Sequence, residues 1–223
     1  FLDIGCGSGV FSAAATRLGA QVYAFDYDQN STDTTKKIIS RFGATSNLKR
    51  VYTDDVLNLA DSSVISAAKY IYSWGVLHHT GDLWGALSVV SKHANPGASF
   101  VLAIYNNAAE MSKKWLKLKS LYVNVIVLRP IIVFIAWKDF WAKHMFHEFI
   151  NRRDPFRTWR EYSIDSRGMS AWYDLVDWAG GYPYECASID EVTQFMSSRG
   201  FRLDEVWRND GIGNNEFRFT KIH

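Results

Sequence analysis

The 223-residue sequence predicts an α/β protein, a mostly parallel sheet with helices on both faces. Three observations predict it. Strand-like and helix-like segments alternate five times in about 105 residues, the pattern of a covered parallel sheet. A glycine-dense loop, Gly5-Cys-Gly-Ser-Gly9, stands between the first strand and the first helix. Aspartates close the second and third strands, at Asp26 and Asp55.

Phe1 to Ile4 reads as the end of a buried strand. A chain seldom opens in mid-strand, so residues ahead of Phe1 are expected. Val10 to Leu18 carries apolar residues at helical spacing and meets Gly19, a helix stop. Gln21 to Phe25 is a second strand. Ser31 to Phe42 is a helix stopped by Gly43. Leu48 to Tyr52 is a third strand and Tyr70 to Trp74 a fourth. Leu83 to His93 is helical, Asn95-Pro-Gly97 turns, and Ser99 to Tyr105 is a fifth strand. Alternation resumes at Ser188, an N-cap followed by Asp190 and Glu191, which suit the first turn of a helix to Arg199. Phe201 to Arg208 and Glu216 to Ile222 then form a hairpin around Asp210-Gly-Ile-Gly213.

Two cysteines, Cys6 and Cys186, are too few for a disulfide framework or a four-cysteine zinc site, and a reducing cytoplasm is the simpler setting. The net charge of +2 gives no argument for nucleic acid. The charge is uneven, however. Between Asn106 and Asp165 stand 11 Lys+Arg against 6 Asp+Glu, with Trp115, Trp137, Trp141 and Trp159 among them. This segment breaks the alternation and reads as a helical insert over 106–185, with the core in 1–105 and 186–223. Leu121 to Trp137 is apolar, but its 17 residues are interrupted by Asn124, Arg129 and Pro130, too broken for a membrane span. Pro130 separates two helices.

Glycines after a strand let the backbone turn tightly and approach a ligand. A GxGxG alone is a weak signal. Asp26 sharpens it: 21 residues after Gly5, it is placed to accept both hydroxyls of a ribose. Asp55 is placed to accept from an adenine amino group. Phe1-Leu-Asp-Ile-Gly-Cys-Gly-Ser-Gly9 resembles the first motif of class I S-adenosylmethionine-dependent methyltransferases. Tyr23-Ala-Phe-Asp26, Thr53-Asp-Asp-Val56 and Ser73-Trp-Gly-Val-Leu-His-His79 resemble the later motifs, in order. The resemblance implies a Rossmann-like seven-stranded sheet, order 3-2-1-4-5-7-6, with the last strand antiparallel. It implies S-adenosyl-L-methionine as cofactor. Gly5, Cys6, Gly7 and Gly9 would wrap its amino-acid half, with Asp3 ordering the loop. Asp26 and Tyr27 would meet the ribose, Asp55 and Val56 the adenine, and Trp74 would stand beside the bound molecule.

Methyl transfer to a hydroxyl calls for a base, and His78 and His79 follow the fourth strand, where such folds do their chemistry. His79 aligns with a histidine common in this family; either residue could equally be structural. Ser166 to Glu185 is the most unusual stretch. Its Arg167, Trp172, Tyr173, Asp177, Tyr182 and Tyr184 read as the wall of an acceptor site, against the alternative of an aromatic helix packed on the sheet. The run resembles a segment of ubiquinone-biosynthesis-like small-molecule methyltransferases. His144, His147 and Glu148 could share a helix face, but three ligands in five residues close poorly around a metal, so none is expected.

The expected function is therefore O-methylation of a small aromatic, quinol-like or amphipathic acceptor. Two alternatives stand beside it: an RNA or protein methyltransferase using the basic insert, and a non-catalytic protein that binds the cofactor. An amine target in RNA calls for an Asn/Asp-Pro-Pro-aromatic motif where this chain reads Ser73-Trp-Gly-Val76, which counts against base N-methylation, and the insert carries no recognised RNA module, so nucleic acid is not the expected partner. Lysines and tryptophans over residues 113–143 suit either a lid or a peripheral contact with anionic lipid. The protein is thus expected in the cytoplasm, with membrane-peripheral contact as an added reading.

Overall fold

The computed structural model describes residues 1–165 and 168–223. Seven strands form one sheet: β1 (Leu2–Ile4), β2 (Val22–Asp26), β3 (Leu48–Thr53), β4 (Tyr70–Trp74), β5 (Ser99–Tyr105), β6 (Phe201–Trp207) and β7 (Asn214–Lys221). Their order is β3-β2-β1-β4-β5-β7-β6, and β7 runs antiparallel to both neighbours. The order reverses between β1 and β4, and in open α/β sheets that switch point carries the ligand crevice.

The helices of this sheet are α1 (Val10–Arg17), α2 (Gln29–Phe42), α3 (Ser63–Ala67), α4 (Leu83–His93) and, near the chain end, α10 (Ile189–Ser198). Each long helix starts where the sequence supplies an acceptor. Asp28 accepts from the Ser31 amide at 2.9 Å, and so α2 begins ahead of the expected Ser31. Asp82 accepts from Gly85 at 2.9 Å at the head of α4. Ser188 and Glu191 form a reciprocal capping box on α10. β7 begins two residues before the expected Glu216 because Asn214 pairs opposite Tyr105. The core is aromatic and aliphatic: Leu2, Ile4, Phe25, Ile71, Phe100, Phe217 and Phe219 are fully buried. Each such side chain contributes about 1.5–3 kcal/mol through burial.

The chain divides into two compact units. The first comprises Phe1–Ala109 and Glu185–His223 and holds the sheet. The second, Glu110–Tyr184, is helical: α5 (Glu110–Asn124), α6 (Arg129–Trp137), α7 (Lys143–Ile150), α8 (Arg157–Asp165) and α9 (Ala171–Gly180). Pro130 stands in the first turn of α6, where its missing amide costs nothing, and so it separates α5 from α6. A π-helical stretch, Lys138–Ala142, joins α6 to α7 without a break.

α5, α6 and α9 pack against one another around Lys119, whose side chain is fully buried. Its ammonium donates to the Trp178 carbonyl and lies 3.9 Å from the Trp178 ring centroid and 5.0 Å from that of Tyr184. Trp115 crosses Trp178 edge-on at 5.5 Å. Trp115 and Trp141, which the sequence offers to either a lid or a lipid contact, are thus interior residues. Burial pushes the Lys119 ammonium down, to about 7. The unfolded chain holds that proton up to an ordinary lysine value of 10.5. Between those two values the unfolded state binds more protons, so folded stability rises with pH across that window and falls as pH drops toward 7. The melting temperature of the native chain should climb from pH 7 to pH 10 relative to Lys119→Met, followed by circular dichroism. Parallel profiles for the two proteins would show that Lys119 ionises as it would in water.

Candidate functional site

The carboxyl ends of β1, β2, β3 and β4 bring the sequence motifs together in the first unit. Directly after β1 the Gly5 and Cys6 amides both donate to the Phe25 carbonyl, at 2.9 and 3.1 Å, which folds the loop over the end of β2. The Gly9 amide donates to the Cys6 carbonyl at 2.8 Å and closes the turn. Gly9 is left-handed, at φ 77°, and opens α1 with no side-chain cap and no acidic residue in the first turn. The positive end of the helix dipole is therefore left for an anionic group.

Asp26 is held against this loop. Its Oδ2 accepts from the Gly7 amide at 2.8 Å and its Oδ1 from the Asp28 amide at 3.0 Å. A carboxylate has about four acceptor positions, so capacity remains for two hydroxyls. Asp3 lies beneath the loop, buried, accepting from the Ser12 hydroxyl at 2.6 Å and so tying β1 to α1. Burial pushes the Asp3 carboxyl up to about 6; the Ser12 bond opposes this and the negative charge of Asp26 adds to it. Cys6 is buried as well. Burial pushes its thiol up to about 12 although the Thr35 hydroxyl donates to it at 3.3 Å, so it packs as a neutral thiol.

Asp55 caps the 3-10 turn Val56–Asn58, accepting from the Leu57 amide at 2.9 Å and from Asn58 Nδ2 at 3.1 Å. Val56 is buried, and Tyr27 is exposed. Trp74 ends β4 and stacks on Tyr72 at 5.8 Å, while Tyr72 meets Phe11 of α1 at 5.0 Å. No sequence pattern signalled that aromatic row, because Phe11 and Tyr72 come from different elements.

The three glycines differ. A Cβ on Gly5 would overlap the Val76 methyl groups, and one on Gly9 would come within 2.6 Å of Thr35 Cα. A Cβ on Gly7 would meet nothing within 4 Å. Packing therefore dictates glycine at 5 and 9, while at 7 the backbone faces open space beside Asp26. That open cradle, the uncapped helix and the two carboxylates fit an amino acid joined to a nucleoside.

His78 and His79 lie in the 3-10 turn after β4 and part company. His78 is fully buried, its Nδ1 accepts from the Tyr105 amide at 3.2 Å, and its ring lies 3.9 Å from that of Tyr105. A buried ring bonded to backbone in this way suits the structural role, holding the end of β5. His79 is half-buried, with the Tyr105 ring edge-on at 5.4 Å. Glu185 secures this turn. Its amide donates to the His78 carbonyl at 3.0 Å, and its carboxylate accepts from the Leu83 amide at 3.1 and 3.2 Å, at the head of α4. Burial pushes the Glu185 carboxyl up, opposed by the Leu83 and Gly81 amides. Sequence grouped Glu185 with the acceptor wall, and nothing local marks it as a brace for residues 102 positions earlier.

Of the wall itself, Arg167 lies outside the described residues. Trp172, Tyr173, Asp177 and Tyr182 are exposed on the second unit. Tyr184 is only 3% exposed and packs 6.0 Å from the Trp178 ring inside that unit. His147 and Glu148 sit on α7 and the side chain of His144 is outside the described set; among the described residues no group of three His, Cys, Asp or Glu could hold a metal.

A sheet of order 3-2-1-4-5-7-6 with a glycine loop at its switch point defines a class I, Rossmann-like S-adenosylmethionine-dependent methyltransferase fold. The chain matches the methyltransferase-domain family over residues 1–206 and belongs to it. Among solved structures it is similar to magnesium protoporphyrin IX methyltransferase from Synechocystis with bound S-adenosylhomocysteine (TM-score 0.56, 13% identity, 99% of this chain, 73% of that one). It is similar also to PKMT2 from Rickettsia typhi in complex with S-adenosylhomocysteine (TM-score 0.60, 14% identity, 99% of this chain, 48% of that one). A short stretch of 30 residues is 63% identical to ribosomal protein L11 methyltransferase of Helicobacter hepaticus, covering 14% of this chain and 10% of that protein. Both of those solved structures hold S-adenosylhomocysteine, and the loop geometry above fits a molecule of that kind.

Proposed function

We propose that this chain is the catalytic part of an S-adenosyl-L-methionine-dependent O-methyltransferase for a small aromatic, quinol-like or amphipathic acceptor. The Asp26 carboxylate fixed to the Gly7 amide beside open space carries the reading. Gly5, Cys6, Gly7 and Gly9 hold the amino-acid half of the cofactor, Asp26 and Tyr27 its ribose, and Asp55 and Val56 its adenine, with Trp74 at the end of β4. When bound, the cofactor supplies an electrophilic methyl group. What the protein adds is mainly alignment, worth roughly 7–11 kcal/mol in favourable cases. His79, half-buried and one residue from a ring locked to backbone, is the base that takes the acceptor proton. Trp172, Tyr173, Asp177 and Tyr182 are the proposed acceptor contacts, being large or polar and exposed. The short likeness to a protein methyltransferase keeps a macromolecular acceptor as the alternative.

Transfer of labelled methyl from S-adenosyl-L-methionine into a cell extract, followed by identification of the product, tests the reading; label in protein or RNA alone would overturn it. With the acceptor in hand, His79→Ala should lower kcat 10²–10⁴-fold near neutral pH, the usual worth of a positioned base. The deficit should shrink as pH rises, because hydroxide then replaces the base. Wild-type kcat across pH 6 to 9 would reject a catalytic His79.

A further inference from the structure

α6, the π-helical stretch and α7 form one unbroken helical rod from Arg129 to Ile150, about 33 Å long at 1.5 Å per residue. One side of it is interior: Ile132, Ala136 and Trp141 are buried. The other side is apolar and bare. Val127 just before the rod, then Ile131, Phe134, Phe146, Phe149 and Ile150, are between 56% and 78% exposed. Val127, Ile131 and Phe134 follow steps of four and three, and Phe146, Phe149 and Ile150 lie within one turn. Lys138 and Ala142 continue the line between the two groups at steps of four. The spacing is that of one stripe along a helix. Isolated exposed apolar side chains are ordinary, but a row of six, three of them Phe, is an interaction surface.

Charge identifies the partner. Lys138 lies on the stripe and is exposed, and Arg152 and Arg153 stand just past its end, also exposed. Of the acids nearby, Asp139 pairs with Lys114, Asp154 with Arg160 and Glu161 with Arg157, while Glu148 on the rod is half-buried and lies 3.9 Å from His147. None of the described ion pairs uses Lys138, Arg152 or Arg153. The face is therefore apolar with net positive flanks. No described helix is long and apolar enough to cross a membrane. An apolar stripe with basic flanks and flexible cationic stems is what lies flat in a bilayer interface, with the rings among the acyl chains and the cations at the headgroups. We propose that the Val127–Arg153 face is a docking surface for an anionic lipid bilayer. It differs from the face that sequence suggested, because Trp115, Lys119 and Trp141 point inward and Phe134, Phe146 and Phe149 point out.

The test is flotation of the 223-residue chain with vesicles of phosphatidylcholine alone and of equal phosphatidylcholine and phosphatidylglycerol. The chain should float with the anionic vesicles at least tenfold more strongly than with the neutral ones, and 0.5 M salt should weaken binding several-fold. Phe134→Ser combined with Phe149→Ser should reduce binding at least tenfold while leaving S-adenosyl-L-methionine affinity and the helical circular-dichroism signal unchanged, which together show that both units stay folded. Absence of flotation, or equal flotation of wild type and double variant, would overturn the proposal. So would a wild-type chain that sediments as a dimer, does not float, and becomes monomeric on the same substitutions, since the face would then belong to a second copy.

Discussion

Replacing Asp26 by alanine is expected to raise the dissociation constant for S-adenosyl-L-methionine by roughly 10- to 150-fold, about 1.5–3 kcal/mol. The lower figure is the loss of a charged acceptor for two hydroxyls taken out of water. The structure argues for the upper one. Asp26 Oδ2 also accepts from the Gly7 amide at 2.8 Å, so the substitution releases the loop that must hold the other end of the ligand. Asp26→Asn keeps an oxygen for one of these partners and should fall between. Titration calorimetry measures all three. The fold should survive, because Asp26 lies at the end of β2 and the strand keeps its pairing with β1 and β3. Affinity within twofold of wild type would remove Asp26 from the site.

The parts of this protein that could be read from sequence are those whose geometry is local. The glycine loop, the strand that precedes it and the helix that follows are consecutive residues, so one short motif describes them. Pro130 could be placed because a proline acts on its own turn whatever packs around it. Asp28 shows the limit of such reading: it shifts the start of α2 through a bond to Ser31, and Ser31 is itself an acceptable cap, so both starts look alike in sequence. What escaped depends on partners far along the chain. Lys119 reads as one more solvated cation, and only Trp178, 59 positions later, makes it an interior residue. His78 and His79 are adjacent and chemically identical, yet it is His78 that meets the Tyr105 amide, 27 positions later. Which of the insert's aromatics turn inward, as Trp115 and Trp141 do, escaped for a related reason. A helix that is apolar on most sides offers no periodic signal for which side its neighbours will cover.

Gly7→Val should abolish measurable cofactor binding, a loss of more than 100-fold, while leaving the protein folded. Gly9→Val should cost the fold itself. The difference follows from what each missing Cβ would touch. At Gly9 it would lie 2.6 Å from Thr35 Cα, so α1 and α2 would have to separate. At Gly7 it would project into space free of protein within 4 Å, the space where the ligand must approach the backbone. Gly7 has φ 52°, so a branched side chain there is strained, at about 1–2 kcal/mol. That is a few degrees of melting temperature for a chain of this size. Thermal unfolding and calorimetry on the two variants separate the effects. Gly7→Ala adds one carbon in the same place and should already weaken binding with a smaller change in stability. If Gly7→Val instead bound S-adenosyl-L-methionine with native affinity, the open space beside Asp26 would not be where the ligand sits. If it unfolded as Gly9→Val is expected to, the cradle would be part of the packing, and the distinction among the three glycines would fail.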